Sequence, residues 1–359
     1  MADGGRPSAS TSGLEIVGLG EAMALLQPPL GQLLADTATL EVHVAGAELN
    51  LCTAAARLGV RAAFCSRVGA DPLGTRVLTV AAAAGVDTSL VAVDPGHPTG
   101  LFLKDARPDG RRRVYYYRGG SAAAHLDASD AARLLAARPR LVAVSGITLA
   151  LGAAPRAAVE AVLHAARGQG VAVALDPNLR PALGDVGRQA GAVRALLRYV
   201  DVLLLGTDEA GPVLGVRDPD DAAEVFAAAA AAGVGETVLK AGADGCHHAG
   251  PTGAPVHLRS AATTVVDPVG AGDAFAGGYL AGRLRGASPA AAAGLGSALA
   301  AGVVARAGDT AGLPDRATAA ELLRRALAAD AAGSDLADHS ERADEGLTNM
   351  QPVVWNLLP

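Results

Sequence analysis

The sequence predicts an α/β fold in which helices cover a mostly parallel central sheet. From Leu141 onward, apolar runs of strand length alternate with segments of helical spacing, and this alternation is typical of a parallel sheet with crossover helices. The chain has 359 residues, half of them apolar, so it can bury a large core. Strands are expected at residues 14–19, 141–146, 171–175 and 202–205, helices at 155–168 and 187–198, and a strand, turn and helix at 61–74.

Composition divides the chain into three segments. Residues 1–13 are rich in Gly, Ser, Thr, Pro and Ala, which predicts a flexible leader. Residues 14–330 are expected to form one domain that ends in an amphipathic helix at 314–329. Residues 331–359 are rich in Gly, Ser, Asp and Glu before a short apolar end that holds Trp355, and we expect most of this tail to be disordered.

Charge and cysteine content narrow the possible partners and compartment. A formal net charge of −6 argues against a nucleic-acid-binding surface, which would carry a basic stripe. Cys52, Cys65 and Cys246 are too few and too scattered for a disulfide framework. The Ala-rich runs are broken by Gly and Arg, so no apolar stretch of membrane-spanning length occurs. We therefore expect a cytoplasmic protein that binds neither nucleic acid nor membrane.

A small β lid is predicted beside the main sheet, from about residues 23–45 and 98–118. Residues 99–104 and 113–118 alternate in β-branched and aromatic side chains and flank Pro-Asp-Gly at 108–110, which is a strong hairpin signal. Alternation places Tyr116 and Arg118 on one face of the second strand and Tyr115 and Tyr117 on the other. One face is therefore available to cover a ligand; the alternative is an edge strand stiffened by aromatic residues.

The chemistry of this lid strand suits an acidic polyol. It holds three of only five tyrosines in the chain, and tyrosine hydroxyls can hydrogen-bond a polyol. The planar fork of Arg118 matches a carboxylate.

The segment DPVGAGDAF, residues 267–275, is the strongest candidate site. A run with strand character at 263–266 leads into a glycine turn at a helix start, where backbone N–H groups and the helix dipole favour an anion. Gly270 and Gly272 keep this surface free of side chains. Asp273 in the first turn either caps the helix or accepts a proton from a substrate hydroxyl. Lys104 and Lys240 both follow leucine, so no Walker A loop exists and this turn is the available phosphate cradle.

This segment closely resembles the second signature of the ribokinase-like (PfkB) carbohydrate kinases, and the resemblance runs from about Leu14 to about Ala329. It implies a ribokinase-like three-layer sandwich with a small β-sheet lid. It also implies that the turn Gly270-Ala271-Gly272 forms the anion hole and that Asp273 is the catalytic base.

Two further stretches resemble family elements on the sugar side. Residues 45–59, AGAELNLCTAAARLG, resemble the first signature, which implies that Gly46 to Asn50 faces the sugar and that Asn50 bonds a hydroxyl; the alternative is that Asn50 caps a helix. The run Tyr116-Tyr117-Arg118 resembles the sugar-acid contacts of 2-keto-3-deoxygluconate kinases. Phe102 departs from that pattern, because the family often has tyrosine there.

The segment Asp176-Pro-Asn178-Leu-Arg180 follows a predicted strand and resembles the family's Asp-x-Asn-x-Arg motif. Asn178 and Arg180 are then expected to reach the sugar or the nucleotide phosphates, and the alternative is a structural ion pair between Asp176 and Arg180. Glu209 matches a position associated with Mg²⁺, usually through water, although Gly206 replaces the asparagine of that motif. A solvated glutamate at a helix start is the alternative for Glu209.

The remaining resemblances concern the nucleotide and one substrate contact. Lys240, Gly242 and Gly245 match a stretch that borders ATP in the family. The alternative is a plain strand and turn, which would show the same sequence pattern. Ser297 falls where a family member touches the adenine region. Asp309 matches a substrate contact of ketodeoxygluconate kinases.

These features together predict an ATP-dependent kinase that transfers the γ-phosphoryl group to the primary hydroxyl of 2-keto-3-deoxygluconate, with ATP and Mg²⁺ as cofactors. The alternatives are a kinase of a neutral sugar, of fructokinase or ribokinase type, and a non-catalytic sugar-binding protein of the same fold. The galactonate epimer as substrate and a monovalent cation such as K⁺ beside the anion hole stay open. A lid strand with an open edge also invites a homo-oligomer through the lid.

Overall fold

Two β-sheets of unequal size organise the chain in the computed structural model, which describes residues 13–29, 31–106, 112–250 and 252–341. Most of the predicted leader, the predicted hairpin turn at 108–110 and the end of the predicted tail with Trp355 lie outside those residues. The strands, in chain order, are β1 Ile16–Leu19, β2 Met23–Gln27, β3 Glu41–Ala45, β4 Ala62–Gly69, β5 Val91–Asp94, β6 Leu101–Ala106, β7 Arg112–Tyr117, β8 Leu141–Ser145, β9 Ala172–Asp176, β10 Val202–Gly206, β11 Glu236–Lys240, β12 Cys246–Ala249 and β13 Pro255–Leu258.

The larger sheet has nine strands in the order β13-β12-β11-β10-β9-β8-β1-β4-β5. Neighbours from β11 through β5 pair in parallel, and β12 and β13 add an antiparallel end. This confirms the predicted mostly parallel sheet. Parallel strands end at the same edge, so the polar segments that follow β1, β9, β10 and β11 lie near one another, as is usual for α/β sites.

Helices pack on both faces of this sheet, which makes three layers. The α-helices are α1 Ala47–Arg57, α2 Pro72–Ala84, α3 Ala128–Ala136, α4 Gly146–Ala150, α5 Ala153–Ala166, α6 Val186–Arg194, α7 Thr207–Leu214, α8 Ala222–Ala231, α9 Ala271–Leu284, α10 Pro289–Val304 and α11 Arg316–Glu341. One buried cluster joins the sheet to α3, α5, α6, α7 and α8, and a second joins it to α1, α2, α9, α10 and α11. Among the described residues, no helix is both long and apolar enough to cross a membrane.

The smaller sheet has four strands in the order β3-β2-β6-β7, all within the two segments where the sequence predicts a lid. β6 and β7 pair antiparallel, with Phe102 opposite Tyr116, so the two strands of the predicted hairpin are present. Met23, Leu25, Ala45 and Phe102 form its own small core. This sheet is therefore a separate packed unit beside the main one.

Two predicted elements differ from the structure. The strand expected at 263–266 is absent from this described stretch: Val265 and Val266 are 64% and 45% exposed, and the Val266 N–H donates to the Val304 carbonyl oxygen at 2.6 Å. The apolar composition misled here because the segment passes over the end of α10 rather than joining a sheet. The last helix continues to Glu341 instead of ending at Ala329, and residues 330–341 contain no proline that would interrupt it.

Candidate active site

The glycine turn before α9 is shaped by close backbone approaches. Gly270 is the N-cap residue of α9 with φ of 81°, and a Cβ at this position would overlap the backbone of Asp309. At Gly272 the nearest atom to such a Cβ would be Lys240 Nζ, 3.7 Å away. With Ala271 between them, the turn presents the first N–H groups of a helix, which lack intrahelical partners, on a surface nearly free of side chains.

Asp273 lies in the first turn of α9 and its carboxylate accepts a hydrogen bond from Asn50 Nδ2 at 2.9 Å. Burial raises the pKa of Asp273 to about 7, the nearby charges of Asp176 and Asp309 raise it too, and Asn50 and Arg180 oppose the shift. The N-cap is Gly270 and has no side-chain hydrogen bond. An oriented carboxylate with a near-neutral pKa suits general-base chemistry better than capping.

Asn50 is placed by α1, where it is the fourth residue and is buried. It does not cap this helix, because the N-cap is Gly46. A Cβ at Gly46 would overlap the Glu21 carbonyl oxygen, so the fold demands glycine at this entry to the helix. The structure thus brings the two resembled signatures together through the hydrogen bond between Asn50 and Asp273.

The segment after β9 lies beside the same turn. Asp176 accepts a hydrogen bond from Lys240 Nζ, so its ion-pair partner is Lys240 and not Arg180, the partner in the alternative interpretation of this segment. Asn178 adopts a left-handed backbone with φ of 42°, and its N–H donates to Asp176 Oδ1 at 3.1 Å. Arg180 is exposed, and its charge lowers the pKa of Asp273. Within the described ranges, no ion pair holds the Arg180 side chain, so this exposed cation near the candidate base is available to a ligand.

Glu209 lies in the first turn of α7, and both of its oxygens accept backbone hydrogen bonds. Oε2 accepts from the Gly206 N–H at 2.8 Å and Oε1 from the Leu179 N–H at 2.7 Å. Burial and the neighbouring Asp176 raise the pKa of Glu209, and Lys240 opposes this shift. Glu209 thus ties the segment after β9 to the start of α7, and it is buried rather than solvated. Over residues 13–29, 31–106, 112–250 and 252–341, no group of three or more His, Cys, Asp or Glu forms a metal cluster.

The predicted nucleotide residues divide into two kinds. Lys240 ends β11 beside Asp176 and Gly272; burial opposes its charge, but the carboxylates of Asp176, Glu209 and Asp273 raise its pKa overall. Gly242 has φ of 57° and no atom near its missing Cβ, whereas a Cβ at Gly245 would overlap the Leu258 carbonyl oxygen. Gly245 is thus explained by the approach of β13, and Gly242 leaves open space.

Ser297 in α10 has a structural partner. Its Oγ accepts a hydrogen bond from the Ala261 N–H at 3.1 Å. This contact holds the segment after β13 against α10, and it is the role that the geometry gives to Ser297.

The lid places its aromatic residues on two faces, as alternation predicts. Tyr116 packs against Phe102 on the inner face, with ring centroids 5.6 Å apart. Tyr117 is on the outer face and is 60% exposed. The structure therefore does not bring Tyr117 to the site, because a strand that buries Tyr116 must turn its neighbour away.

Arg118 is buried and paired within the protein. Its Nε donates to Glu21 Oε2 at 2.7 Å, its guanidinium lies 5.4 Å from the Tyr116 ring centroid, and Glu21 also accepts from Ser121 Oγ at 2.5 Å. Part of the fork expected to meet a substrate carboxylate is thus occupied by Glu21. Glu21 follows the end of β1 at Leu19.

Asp309 and Lys104 complete the site between the turn and the lid. Burial raises the pKa of Asp309, Lys104 opposes this shift and Asp267 adds to it. Lys104 Nζ donates to Asp267 Oδ2 at 2.7 Å. Sequence reasoning missed this pair, although one signal was available: Lys104 is one of only two lysines and shares its strand face with Phe102, where a buried ammonium requires an acidic partner.

Comparisons with known proteins identify the family of this chain. Residues 14–316 match the family described as pfkB family carbohydrate kinase. The chain is 38% identical to a 2-dehydro-3-deoxygluconokinase from Thermoproteus tenax over 87% of this chain and 94% of that protein. It is 33% identical to a protein of the same name from Bacillus subtilis over 86% and 95%. The crystal structure of a PfkB protein from Polaromonas sp. JS666 superposes with a TM-score of 0.74 at 32% identity, over 85% of this chain and 98% of that one.

Proposed function

The chain belongs to the pfkB family of carbohydrate kinases, and from that premise we propose that it phosphorylates 2-keto-3-deoxygluconate, also called 2-dehydro-3-deoxygluconate. The observation that carries the proposal is the Asp273 carboxylate, whose pKa is raised to about 7 and which Asn50 orients beside the glycine turn. The names of the relatives from Thermoproteus tenax and Bacillus subtilis support this substrate.

The proposed reaction is an in-line transfer. The primary hydroxyl of the sugar acid loses its proton to Asp273 as its oxygen bonds to the γ-phosphorus of ATP, and the bond to the bridging oxygen breaks to release ADP. General-base help contributes about 10²- to 10⁴-fold. The main-chain N–H groups and helix dipole at Gly270 to Gly272 would stabilise charge on the moving phosphoryl group.

ATP and Mg²⁺ are the proposed cofactors. Mg²⁺ keeps several waters and takes few protein carboxylates, so we propose that Glu209 holds the ion through water, with the neighbouring Asp176 adding negative charge. Lys240, held beside Gly272, would add a positive charge near the phosphates. A role for K⁺ is tested by replacing K⁺ with Na⁺ in the assay, since a rate that needs K⁺ adds this ion to the cofactors.

Arg180 is the proposed cation for the substrate carboxylate or a phosphate, because it is exposed beside Asp273, whereas Arg118 is buried against Glu21. A kinase of a neutral sugar would not need a cation for an acid group. The variant Arg180→Ala therefore probes substrate class without disturbing a buried ion pair, and we expect it to raise KM more for the sugar acid than for ATP.

The deciding experiment measures ADP release by the wild type and by Asp273→Asn with 2-keto-3-deoxygluconate, its galactonate epimer, fructose, ribose and no sugar. We expect the wild type to prefer an acid sugar and Asp273→Asn to lose about 10²- to 10⁴-fold in kcat. Faster turnover on fructose or ribose would favour the neutral-sugar alternative. Sugar-independent ADP release, or none, would favour a binding protein without transfer.

Assembly and compartment complete the proposal. The outer strands of the smaller sheet, β3 and β7, each have one neighbour, and such edges favour pairing with a second copy. We propose a homo-oligomer through the lid, tested by light scattering after size exclusion.

The three cysteines are free and buried, which supports a reducing, cytoplasmic location.

A further inference from the structure

Both lysines of this chain are used at one place in the fold. Lys240 pairs with Asp176 beside Gly272, and Lys104 pairs with Asp267, although other positive charges are arginines. Lys104 is contributed by the smaller sheet, on β6, whereas Asp267 is the first residue of the segment that contains the glycine turn. The pair therefore connects the lid directly to the candidate anion hole.

The contact between Lys104 and Asp267 is almost fully removed from water. Lys104 is 6% exposed and Asp267 is 2% exposed. Asp267 also accepts a hydrogen bond through Oδ1 from the Val269 N–H at 3.1 Å. One of its oxygens thus faces the lid while the other shapes the backbone immediately before Gly270.

A second buried carboxylate, Asp309, lies near enough for the charge of Lys104 to act on it. Asp309 is 8% exposed, its backbone abuts Gly270, and its Oδ1 has no hydrogen-bond partner within the described part of the chain. The charge of Lys104 favours the ionised form of Asp309, and that of Asp267 disfavours it. Two buried carboxylates and the Lys104 ammonium therefore lie beside a turn that must receive a negatively charged phosphoryl group.

Like charges in a buried space repel one another strongly unless a cation is present. Without Lys104, the charges of Asp267 and Asp309 would oppose each other and also oppose an incoming phosphoryl group. The charge of Asp309 would also act on Asp273, because it is one of the charges that raise the pKa of Asp273.

We propose that Lys104 is a positioning residue for phosphoryl transfer: from the lid, its ammonium pairs with Asp267 and so keeps the anion hole in shape. This inference rests on the proposed kinase function. Lys104 acts through Asp267 and does not touch the reacting atoms. Docking of the lid against the main domain and formation of the anion hole are therefore coupled.

The test compares Lys104→Met, which keeps the apolar stem, with the double variant Lys104→Met/Asp267→Asn, which also removes the carboxylate charge at residue 267. We expect the single variant to lose about 10- to 100-fold in kcat with a small change in KM for the sugar acid, and the double variant to recover about tenfold. The control is Arg113→Met, which removes an exposed cation from the outer face of the same sheet.

Three outcomes of this comparison would overturn the proposal. They are an unchanged kcat in Lys104→Met, a loss that the double variant does not relieve, and a loss confined to KM. Turnover by the wild type is measured first. Absence of turnover by the wild type counts against the proposed function, whereas wild-type turnover with unaffected Lys104 variants counts against this inference alone.

A second measurement uses the wild type, so it does not depend on whether Lys104→Met folds. Lysine labelled at the side-chain nitrogen gives two ammonium signals, because the chain has two lysines, and Lys240→Met assigns them. We expect the non-hydrolysable analogue AMPPNP with Mg²⁺ to shift both signals, that of Lys240 directly and that of Lys104 through Asp267. A shift of the Lys240 signal alone would show that the anion hole is not coupled to the lid.

Discussion

The glycine turn at residues 267–273 and the four-stranded sheet meet at the same site but are held in place by different forces. The turn is fixed by main-chain approaches, since a Cβ at Gly270 would overlap the backbone of Asp309. The sheet is fixed by buried charges, since Arg118 pairs with Glu21 and Lys104 with Asp267. Substitutions in the turn should therefore act through geometry, whereas substitutions in the sheet should act through unpaired charge.

The largest expected effect on stability comes from the sheet. Arg118→Ala leaves the buried Glu21 carboxylate without its guanidinium, and breaking such a pair on one side costs about 3–5 kcal/mol of unfolding free energy. Urea denaturation measures this loss. The control is Arg113→Ala on the outer face, which we expect to cost less than about 1 kcal/mol.

A double variant, Arg118→Met/Glu21→Gln, sharpens the result. It should regain much of the loss, because neither partner then carries a buried unpaired charge. A loss in Arg118→Ala no larger than that of Arg113→Ala would show that charge pairing does not hold this sheet.

A smaller effect is expected in the turn. Gly270→Ala puts a side chain on a residue with φ of 81° against the backbone of Asp309, and strain of this kind costs about 1–3 kcal/mol. We expect a lower melting temperature and a lower kcat, because the N–H groups of the anion hole must move. Differential scanning calorimetry and steady-state kinetics measure both.

Gly272→Ala is the matched comparison for Gly270→Ala. Its Cβ would lie 3.7 Å from Lys240 Nζ, an ordinary contact distance, and alanine in a helix is more stable than glycine by about 1 kcal/mol. We expect Gly272→Ala to melt no lower than the wild type. If the two variants lose equal stability, main-chain approach at Gly270 is not what shapes the turn.

The smallest expected effect is a pH dependence at the junction of the two regions. Asp273 has a pKa raised to about 7 by burial, Asp176 and Asp309, and it must be unprotonated to accept a proton. The ratio kcat/KM should therefore rise with pH, reach half of its maximum near pH 7 and level off about one pH unit higher. Asp309→Asn removes one like charge, so it should lower the pKa of Asp273 and move the midpoint to lower pH. If the midpoint of the pH profile does not move, the charge of Asp309 does not affect the pKa of Asp273.

Local patterns in the sequence predicted the fold and part of the candidate site. Alternation of strands and helices predicted the parallel sheet, and period-two alternation placed Tyr116 and Tyr117 on opposite faces of the lid. The strand expected at 263–266 failed, because apolar composition does not reveal whether a neighbouring strand is available. The glycine motif predicted a turn, and the backbone of Asp309 explains why Gly270 cannot carry a side chain.

Local sequence patterns could not predict which residues form ion pairs. Lys104 and Asp267 are separated by 163 positions, and Arg118 and Glu21 by 97. No periodicity selects one carboxylate among the 36 Asp and Glu residues for a given cation. The prediction that Arg118 would offer its whole fork to a substrate overlooked Glu21 for this reason.

The hydrogen bond between Asn50 and Asp273 spans 223 positions, which has a consequence for biosynthesis. Chains emerge from the ribosome with the N-terminal part first, so α1 is complete long before α9 has been translated. A nascent chain carries the amide without the carboxylate that it orients. Such a chain lacks the assembled site that ATP turnover requires. Turnover becomes possible only after the C-terminal third has been translated and has packed against the rest of the domain.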